Sequence, residues 1–258
     1  MTLAMRPIDA AAVLSLAAGL EAYARAQLAK AALPGTIADR DALVEPFAAD
    51  LATYFAEMAD RVLGTVRKAL EIDWDPAHDI GWTVEDEELG KVLARWFPIL
   101  GETAFTGVGE QLAVELRFDV RVSPAKEIVA AVGERVTGIN AASRDVLESI
   151  VDGSIRRGES IDDLRGLLRE AFDSWSSSRA TTIALTETAT VYNQAALGGY
   201  AASGLVETVT VYDGADCGWT SHDDPDLAAG STRTLDEAEA YATAHPRCQR
   251  AFGPVVTR

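Results

Sequence analysis

The chain has 258 residues, 48% of them hydrophobic and 24% charged, which is typical of a folded globular protein and excludes wholesale disorder. Its 40 acidic and 23 basic residues give a net charge of −17, so we expect weak nucleic-acid binding at most and no strong affinity for phosphates. The longest uncharged run near the start, Ala10 to Leu20, is too short to span a bilayer, and we predict a cytoplasmic first helix and no membrane segment.

The sequence of residues 1–122 predicts an N-terminal helical region. Apolar side chains recur three and four positions apart and predict two helices, separated by a Pro-Gly pair at 34–35. A third helix begins after Thr83, where four acidic residues favour a first turn, and ends before Pro98. The glycine-rich stretch that follows predicts a further helix and then a short extended piece over 117–123.

Residues 123–204 predict a second helical region. Its first helix starts at Pro124, since proline suits a first turn, and continues to Val136. The sequence Gly-Ile-Asn at 138–140 predicts a turn, and the apolar pattern resumes as a helix from Ser143 to Gly153.

The second half of this region predicts two more helices. Ser160 is placed to cap the first of them, with two aspartates in its first turn. Three serines at 176–178 are predicted to start the longest helix of the chain, which runs from Arg179 to about Ala202. Gly204 then ends it, as glycine does at many helix C-termini.

Residues 205–258 predict a small C-terminal module. β-Branched residues alternate from Val206 to Tyr212 and predict a strand. A long polar loop follows, then a short helix from Leu235 to Ala242 capped by Thr234, and a second strand over 251–256. The fold class is therefore predicted to be α+β, a predominantly α-helical body with a small C-terminal α+β module.

Both cysteines and two of the three histidines cluster in this module as Cys217, His222, His245 and Cys248. Thiolate and imidazole are the ligands that zinc prefers. The two pairs, Cys217 with His222 and His245 with Cys248, are joined by a loop and could together supply the four ligands of a tetrahedral site. The other interpretation is a rigid turn at His245-Pro246 with Cys248 as a buried free thiol. A disulfide between the two cysteines is a third possibility, less favoured in so cysteine-poor a chain.

Three motifs follow one another in the last hundred residues. The long helix reads RATTIALTETATVYNQA from Arg179, the strand is followed by DGADC from Asp213, and the loop ends in HPRCQR at Arg250. Their order and spacing resemble the Mu F-like head morphogenesis family, minor capsid proteins of tailed bacteriophages, over roughly residues 160–256. The motif positions are Arg179, Thr186, Glu187, Tyr192, Asn193, Asp213 and Pro246.

This resemblance implies a portal-associated structural protein of the virion, without established catalysis. It implies a few copies at the portal vertex in the capsid interior, which help procapsid assembly or genome delivery, and a location in the host cytoplasm during assembly. The portal protein is the implied partner, with the major capsid or scaffolding protein as further candidates. The sequence departs from the family pattern at Thr220 and Arg250, where many relatives carry further cysteines.

Polar residues on the long helix allow two interpretations. Thr186, Glu187, Tyr192 and Asn193 include groups that could do acid or base chemistry. Polar residues on a helix packed against a β module more often form a buried hydrogen-bond network, and we favour that role for them and for Arg179.

Two other functions compete with the head-protein hypothesis. One is a zinc-dependent hydrolase or nuclease, but four protein ligands would leave zinc no position for an activated water. The other is a DNA-binding packaging factor, for which the net charge of −17 predicts only weak, salt-sensitive binding to DNA. We therefore expect no catalytic residues and no enzyme activity.

Overall fold

The computed structural model describes residues 36–66, 74–121, 125–213 and 228–256. The described helices are α1 Thr36–Ala42, α2 Val44–Val66, α3 Pro76–Asp79, α4 Trp82–Leu112, α5 Ala125–Ala130, α6 Val132–Arg157, α7 Ile161–Ser174, α8 Ala180–Ser203 and α9 Leu235–Glu239. The strands are β1 Thr208–Tyr212, β2 Thr232–Thr234 and β3 Ala251–Val255. The predicted fold class is confirmed, because the chain is mostly helical and carries a small antiparallel sheet near its C-terminus.

Helix α8 forms the centre of the molecule. It packs against α2 and α4 on the side of the helical body, and against β3 and α9 on the side of the sheet. Its small residues, such as Ala184 and Ala195, are buried and allow neighbouring elements to approach closely. Because it is covered on nearly all sides, α8 shows no clear division into a polar and an apolar face.

The sheet has the order β2-β1-β3, with both pairs antiparallel. Val209 and Val211 of β1 are buried, whereas Thr208, Thr210 and Tyr212 are half-buried, which is the alternation expected of a strand with one buried face. The predicted strands at 206–212 and 251–256 are thus confirmed within one or two residues. Strand β2, which lies next to the predicted short helix, was not predicted.

Several predicted boundaries are confirmed by their cap geometry. Ser160 and Thr234 begin α7 and α9 with capping boxes, in which the carboxylates of Asp163 and Glu237 accept a hydrogen bond from the backbone N–H of the cap residue. Gly204 ends α8 in the left-handed conformation with φ of 65°. Helix α9 ends at Glu239, three residues before the predicted end.

The prediction that a helix ends before Pro98 is wrong, because Pro98 lies inside the 31-residue helix α4. An interior proline removes one backbone hydrogen bond and costs about 3 kcal/mol. Buried residues on both sides of it, Leu93 and Phe97 before and Leu100 and Ala104 after, continue one apolar face and offset that cost. At about 2 kcal/mol for each large side chain, their burial outweighs the lost bond.

The extended piece predicted over 117–123 is not a strand within the described residues. Residues 115–119 form no regular structure, and Phe118 instead turns back against Phe105, with ring centroids 5.3 Å apart. Gly101 makes this possible, since a β-carbon there would overlap the Phe118 ring. The glycine that suggested a helix break is therefore a site of close packing.

The turn predicted at 138–140 is also wrong, since these residues lie inside α6. Asn140 stays helical because its side chain is bonded within the core, accepting from Tyr54 Oη at 3.0 Å and donating to Asp86 Oδ1 at 2.8 Å. The helix predicted from Pro124 to Val136 is instead divided at Ala131 between α5 and α6.

The serines at 176–178 do not start a new helix. They belong to a π-helical turn, Trp175–Arg179, that joins α7 directly to α8. Ser177 and Ser178 donate their hydroxyls to carbonyls one turn earlier in the chain, Asp173 O and Ser174 O, both at 3.0 Å, instead of capping. The prediction that α8 is the longest helix is also wrong, since α4 is longer.

The helix predicted before residue 34 lies outside the described residues.

Candidate functional site

Polar side chains are concentrated on α8, although this helix is buried in the centre of the fold. Glu187, Thr188, Thr190 and Asn193 are each at most 5% exposed. Buried polar groups require partners, because an unmade hydrogen bond in the interior is costly.

Three polar residues of α8, the buried Thr190 and Asn193 and the half-buried Thr186, attach this helix to the C-terminal module. Asn193 Nδ2 donates to Ala242 O at 2.7 Å and to Arg250 O at 3.0 Å. Thr190 Oγ1 lies 3.2 Å from Thr243 Oγ1, and Thr186 Oγ1 accepts from the backbone N–H of Arg247 at 3.0 Å. These contacts are of the kind that we expected from a buried network between the helix and the module.

Asp213 and Arg250 form an ion pair at the base of the polar loop. Arg250 Nε and Nη2 donate to the two carboxylate oxygens of Asp213, at 2.6 Å and 2.9 Å, and neither side chain is exposed to solvent. Arg250 Nη1 also donates to Tyr241 O at 2.9 Å. The bidentate geometry gives a strong charge-assisted pair that joins the end of β1 to the start of β3.

Helix α1, the first helix of the described residues, reaches the same ion pair through Arg40. Its Nη1 donates to Arg250 O at 3.0 Å, across 210 positions of the sequence, and the side chain also pairs with Asp41 at 2.7 Å. Arg250 therefore links four parts of the chain: α1, α8, the end of β1 and the segment after α9.

The turn that begins at His245 holds the described half of the predicted metal site. Cys248 N donates to His245 O at 3.1 Å, and Arg247 takes the left-handed conformation with φ of 63°. His245 Nδ1 lies 2.7 Å from Pro246 O, and a carbonyl oxygen can only accept, so Nδ1 is the donor of this contact. Cys248 is a free, buried thiol, and Pro246 is exposed.

The zinc prediction rests on two further residues, Cys217 and His222, that lie outside the described residues. Two ligands on one turn do not make a zinc site, which takes four protein ligands when structural. Within the described ranges, no group of three or more His, Cys, Asp or Glu side chains could hold a metal ion. The four-ligand site therefore stays a prediction.

Arg179 lies away from the module, at the π-helical turn. Its guanidinium stacks 4.7 Å from the Trp175 ring and 5.5 Å from the Phe55 ring, and Nη2 donates to Ile139 O at 2.9 Å. Burial lowers the pKa of the guanidinium below its ordinary value. The residue joins α2, α6 and the α7–α8 junction, and its contacts are with aromatic and backbone groups.

Glu187 faces α6, where Arg135 Nε lies 3.5 Å from its Oε2. Burial raises the pKa of the carboxyl above its ordinary value, and the charge of Arg135 opposes this shift. Oε2 is buried and accepts no hydrogen bond from the described residues. A buried carboxylate alone does not make an acid–base site, which needs a cavity for substrate and a second reacting group.

Tyr192 is buried and lines a small cavity of about 10 Å³ between α8, α1, α4 and β3. Tyr200, about two turns further along α8, lines the same cavity and donates to Gln111 Oε1 at 2.7 Å and Phe252 O at 3.2 Å. Burial raises the pKa of Tyr200 well above its ordinary value, so the phenol stays protonated. The cavity is far smaller than the several hundred Å³ of a typical ligand pocket.

At both edges of the sheet, some of the outward backbone groups of the described residues are already hydrogen-bonded. The backbone N–H and C=O of Val211 point toward β2, where the N–H donates to Ser231 O and the C=O accepts from Gly230 N. Val211 therefore makes no backbone hydrogen bonds to its partner on β3, Phe252, and the backbone N–H and C=O of Phe252 point away from β1. Those outward carbonyls of Phe252 and Arg250 are occupied by Tyr200, Asn193 and Arg40, and Pro254 has no N–H to offer. At the other edge, β2 has three residues, and the N–H of Thr234 is taken by Glu237.

Sequence reasoning missed Arg250, Arg40 and Tyr200 as members of this network. Arg250 carried a usable signal, because a charged residue next to a buried β-strand requires a partner, and Asp213 follows the neighbouring strand. Arg40 carried none, since its contact is set by the tertiary fold alone.

Comparisons with known proteins add no assignment. No protein-family model matches the chain, and no curated protein or solved structure matches it. Among the helices that the structure describes, none has the length and apolar character required to cross a lipid bilayer.

Proposed function

We propose that this protein is a minor capsid, or head morphogenesis, protein of a tailed bacteriophage. It binds at the portal vertex inside the head and assists procapsid assembly or genome delivery. The resemblance of the motifs from Arg179 to Arg250 carries the family assignment. The observation that carries the structural role is that Thr186 and Asn193 hydrogen-bond α8 to the module, while Asp213 pairs with Arg250 inside the module.

This use of the motif supports an architectural role over a catalytic one. A catalytic group must be accessible to a substrate, whereas Asp213 and Arg250 are completely buried and bonded to each other. The motif positions would then recur because they build the junction between a central helix and a small sheet, on which each protein places its own binding surface.

The occupied carbonyls along the β3 edge of the sheet favour the helical body as the surface that contacts the portal. Strand addition needs a row of free backbone groups, and the outward carbonyls of Arg250 and Phe252 are already occupied. The major capsid or scaffolding protein could engage the same helices as a second partner.

Direct DNA binding is weak in this proposal. Two arginines of the most basic stretch are already paired with acids, Arg157 with Glu159 at 2.6 Å and Arg165 with Asp162 at 3.3 Å. Neutralised in this way, they release few counterions from a duplex, and the net charge of −17 adds repulsion.

The test is to co-express the tagged chain with the genes that flank it and to separate the products by size exclusion. We expect a portal-sized ring or a capsid protein to co-elute in constant ratio, identified by mass spectrometry. An unrelated protein of similar negative charge, carrying the same tag, controls for capture by charge. Elution of the chain alone, with one equivalent of zinc and hydrolase activity that depends on His245, would contradict the proposal and favour the metal-enzyme hypothesis.

A further inference from the structure

The cavity between α1, α4, α8 and β3 has the dimensions of a single water molecule. Its volume is about 10 Å³, and a water needs roughly 10–15 Å³ together with two to four polar partners. Ile37 and Val108 belong to its apolar wall, whereas Arg40, Asn193 and Tyr200 bring polar groups to it from α1 and α8. A cavity of this size lined only by apolar groups would stay dry, but this one is partly polar.

Asn193 has hydrogen-bonding capacity that the protein does not fill. Both hydrogens of Nδ2 are donated, to Ala242 O and Arg250 O. Its Oδ1 has two lone pairs, and no residue in the described ranges donates to it. Because Asn193 is 2% exposed and lines the cavity, a water held there can supply the donor for Oδ1.

Phe252 O offers a second acceptor on the same wall. The Tyr200 phenol has one hydrogen and two acceptors, and Gln111 Oε1 at 2.7 Å is closer than Phe252 O at 3.2 Å. The carbonyl oxygen of Phe252 has two lone pairs, so it can accept from a second donor beside the Tyr200 phenol. A water has two hydrogens for Asn193 Oδ1 and Phe252 O, and it can accept in turn from the Arg40 guanidinium.

We propose that this cavity binds one ordered water molecule, which donates to Asn193 Oδ1 and accepts from Arg40. The water joins α1 to α8 and β3 at the point where the N-terminal part of the chain meets the C-terminal module. The docking of α1 is then completed by solvent as well as by the direct bond from Arg40 to Arg250 O.

A crystal structure of the whole chain, at a resolution that orders internal water, tests this site. We expect one density peak in the cavity within hydrogen-bonding distance of Asn193 Oδ1, and cross-relaxation in solution between the Asn193 side-chain amide and a long-lived water. An empty cavity, or an Asn193 amide without such cross-relaxation, would overturn the proposal.

Two variants at Ala196, which lines the cavity, extend the test. Ala196→Val fills the space, so the long-lived water signal should disappear and Tm should fall because Oδ1 loses its donor. Ala196→Ser is the matched control, since its hydroxyl can replace the water as a donor and should keep Tm close to that of the unmodified chain. If Ala196→Val raises Tm instead, it has filled a dry cavity and the water is excluded.

Discussion

Replacing Arg250 by methionine removes the charged partner of Asp213 while keeping much of the side-chain volume. Both residues of this pair are completely buried, and Arg250 also satisfies Tyr241 O. Removing one partner of a buried ion pair leaves an uncompensated charge and costs about 3–5 kcal/mol. That is a large part of a total stability of about 5–15 kcal/mol.

Urea denaturation followed by circular dichroism measures this loss. With a slope of about 3 kcal/mol/M, Arg250→Met should lower the unfolding midpoint by roughly 1–2 M. Since the pair is shielded from solvent, 0.5 M NaCl should leave the loss unchanged. Arg117→Met, which breaks the exposed pair with Glu115, is the matched control and should leave the midpoint where it is.

A double-mutant cycle separates the pair from its surroundings. Asp213→Ala combined with Arg250→Met should destabilise less than the sum of the two single changes, by about 1–3 kcal/mol, because neither charge is left alone. Strictly additive losses, or a midpoint shift below roughly 0.3 M for Arg250→Met, would refute the reasoning.

Three further predictions address other parts of the fold. Glu187→Gln should raise Tm at pH 7 but not at pH 4. Burial raises the pKa of the Glu187 carboxyl, so the folded state holds this proton more tightly than the unfolded state does. The folded protein therefore loses stability as the pH rises from near 4.5 through the folded-state pKa, and glutamine removes that loss. Pro98→Ala should stabilise α4 by about 1–2 kcal/mol in urea denaturation, because the restored N–H completes the helix and outweighs the extra unfolded-state entropy. Gly101→Ala should destabilise by about 1–3 kcal/mol, because the new methyl overlaps Phe118.

Each of these has its own contrary outcome. An equal effect of Glu187→Gln at both pH values would show that the carboxyl is not shifted by burial. Loss of stability in Pro98→Ala would mean that the proline ring makes packing contacts worth more than a hydrogen bond. For Gly101, the variant Gly101→Ala in a Phe118→Ala background should recover part of the loss, and failure to do so would place the strain elsewhere.

Local signals in the sequence predicted the parts of the fold that local chemistry determines. Apolar spacing predicted α2, the hydroxyl of Ser160 predicted the start of α7, and Gly204 predicted the end of α8. The same rules failed at Pro98 and at Asn140, where burial against distant residues outweighs an unfavourable local preference.

The polar junction could be predicted only in part. The threonines and Asn193 of α8 could be assigned to a buried network, because polar groups on an enclosed helix need partners. Their partners could not be named, since Asn193 and Arg250 are 57 positions apart and Arg40 and Arg250 are 210 apart. The family resemblance identifies Arg250 only as the position where many relatives carry a cysteine, so it does not indicate that Arg250 pairs with Asp213.

Mass spectrometry of purified phage heads tests the central claim most directly. Procapsids and DNA-filled heads would be isolated from the phage or induced prophage that we propose as the source of this chain, and peptides of the chain would be counted against those of the portal protein. We predict a few copies per portal ring in the purified heads. Expression of the chain in the cell, with none of it in procapsids or heads, would contradict the account.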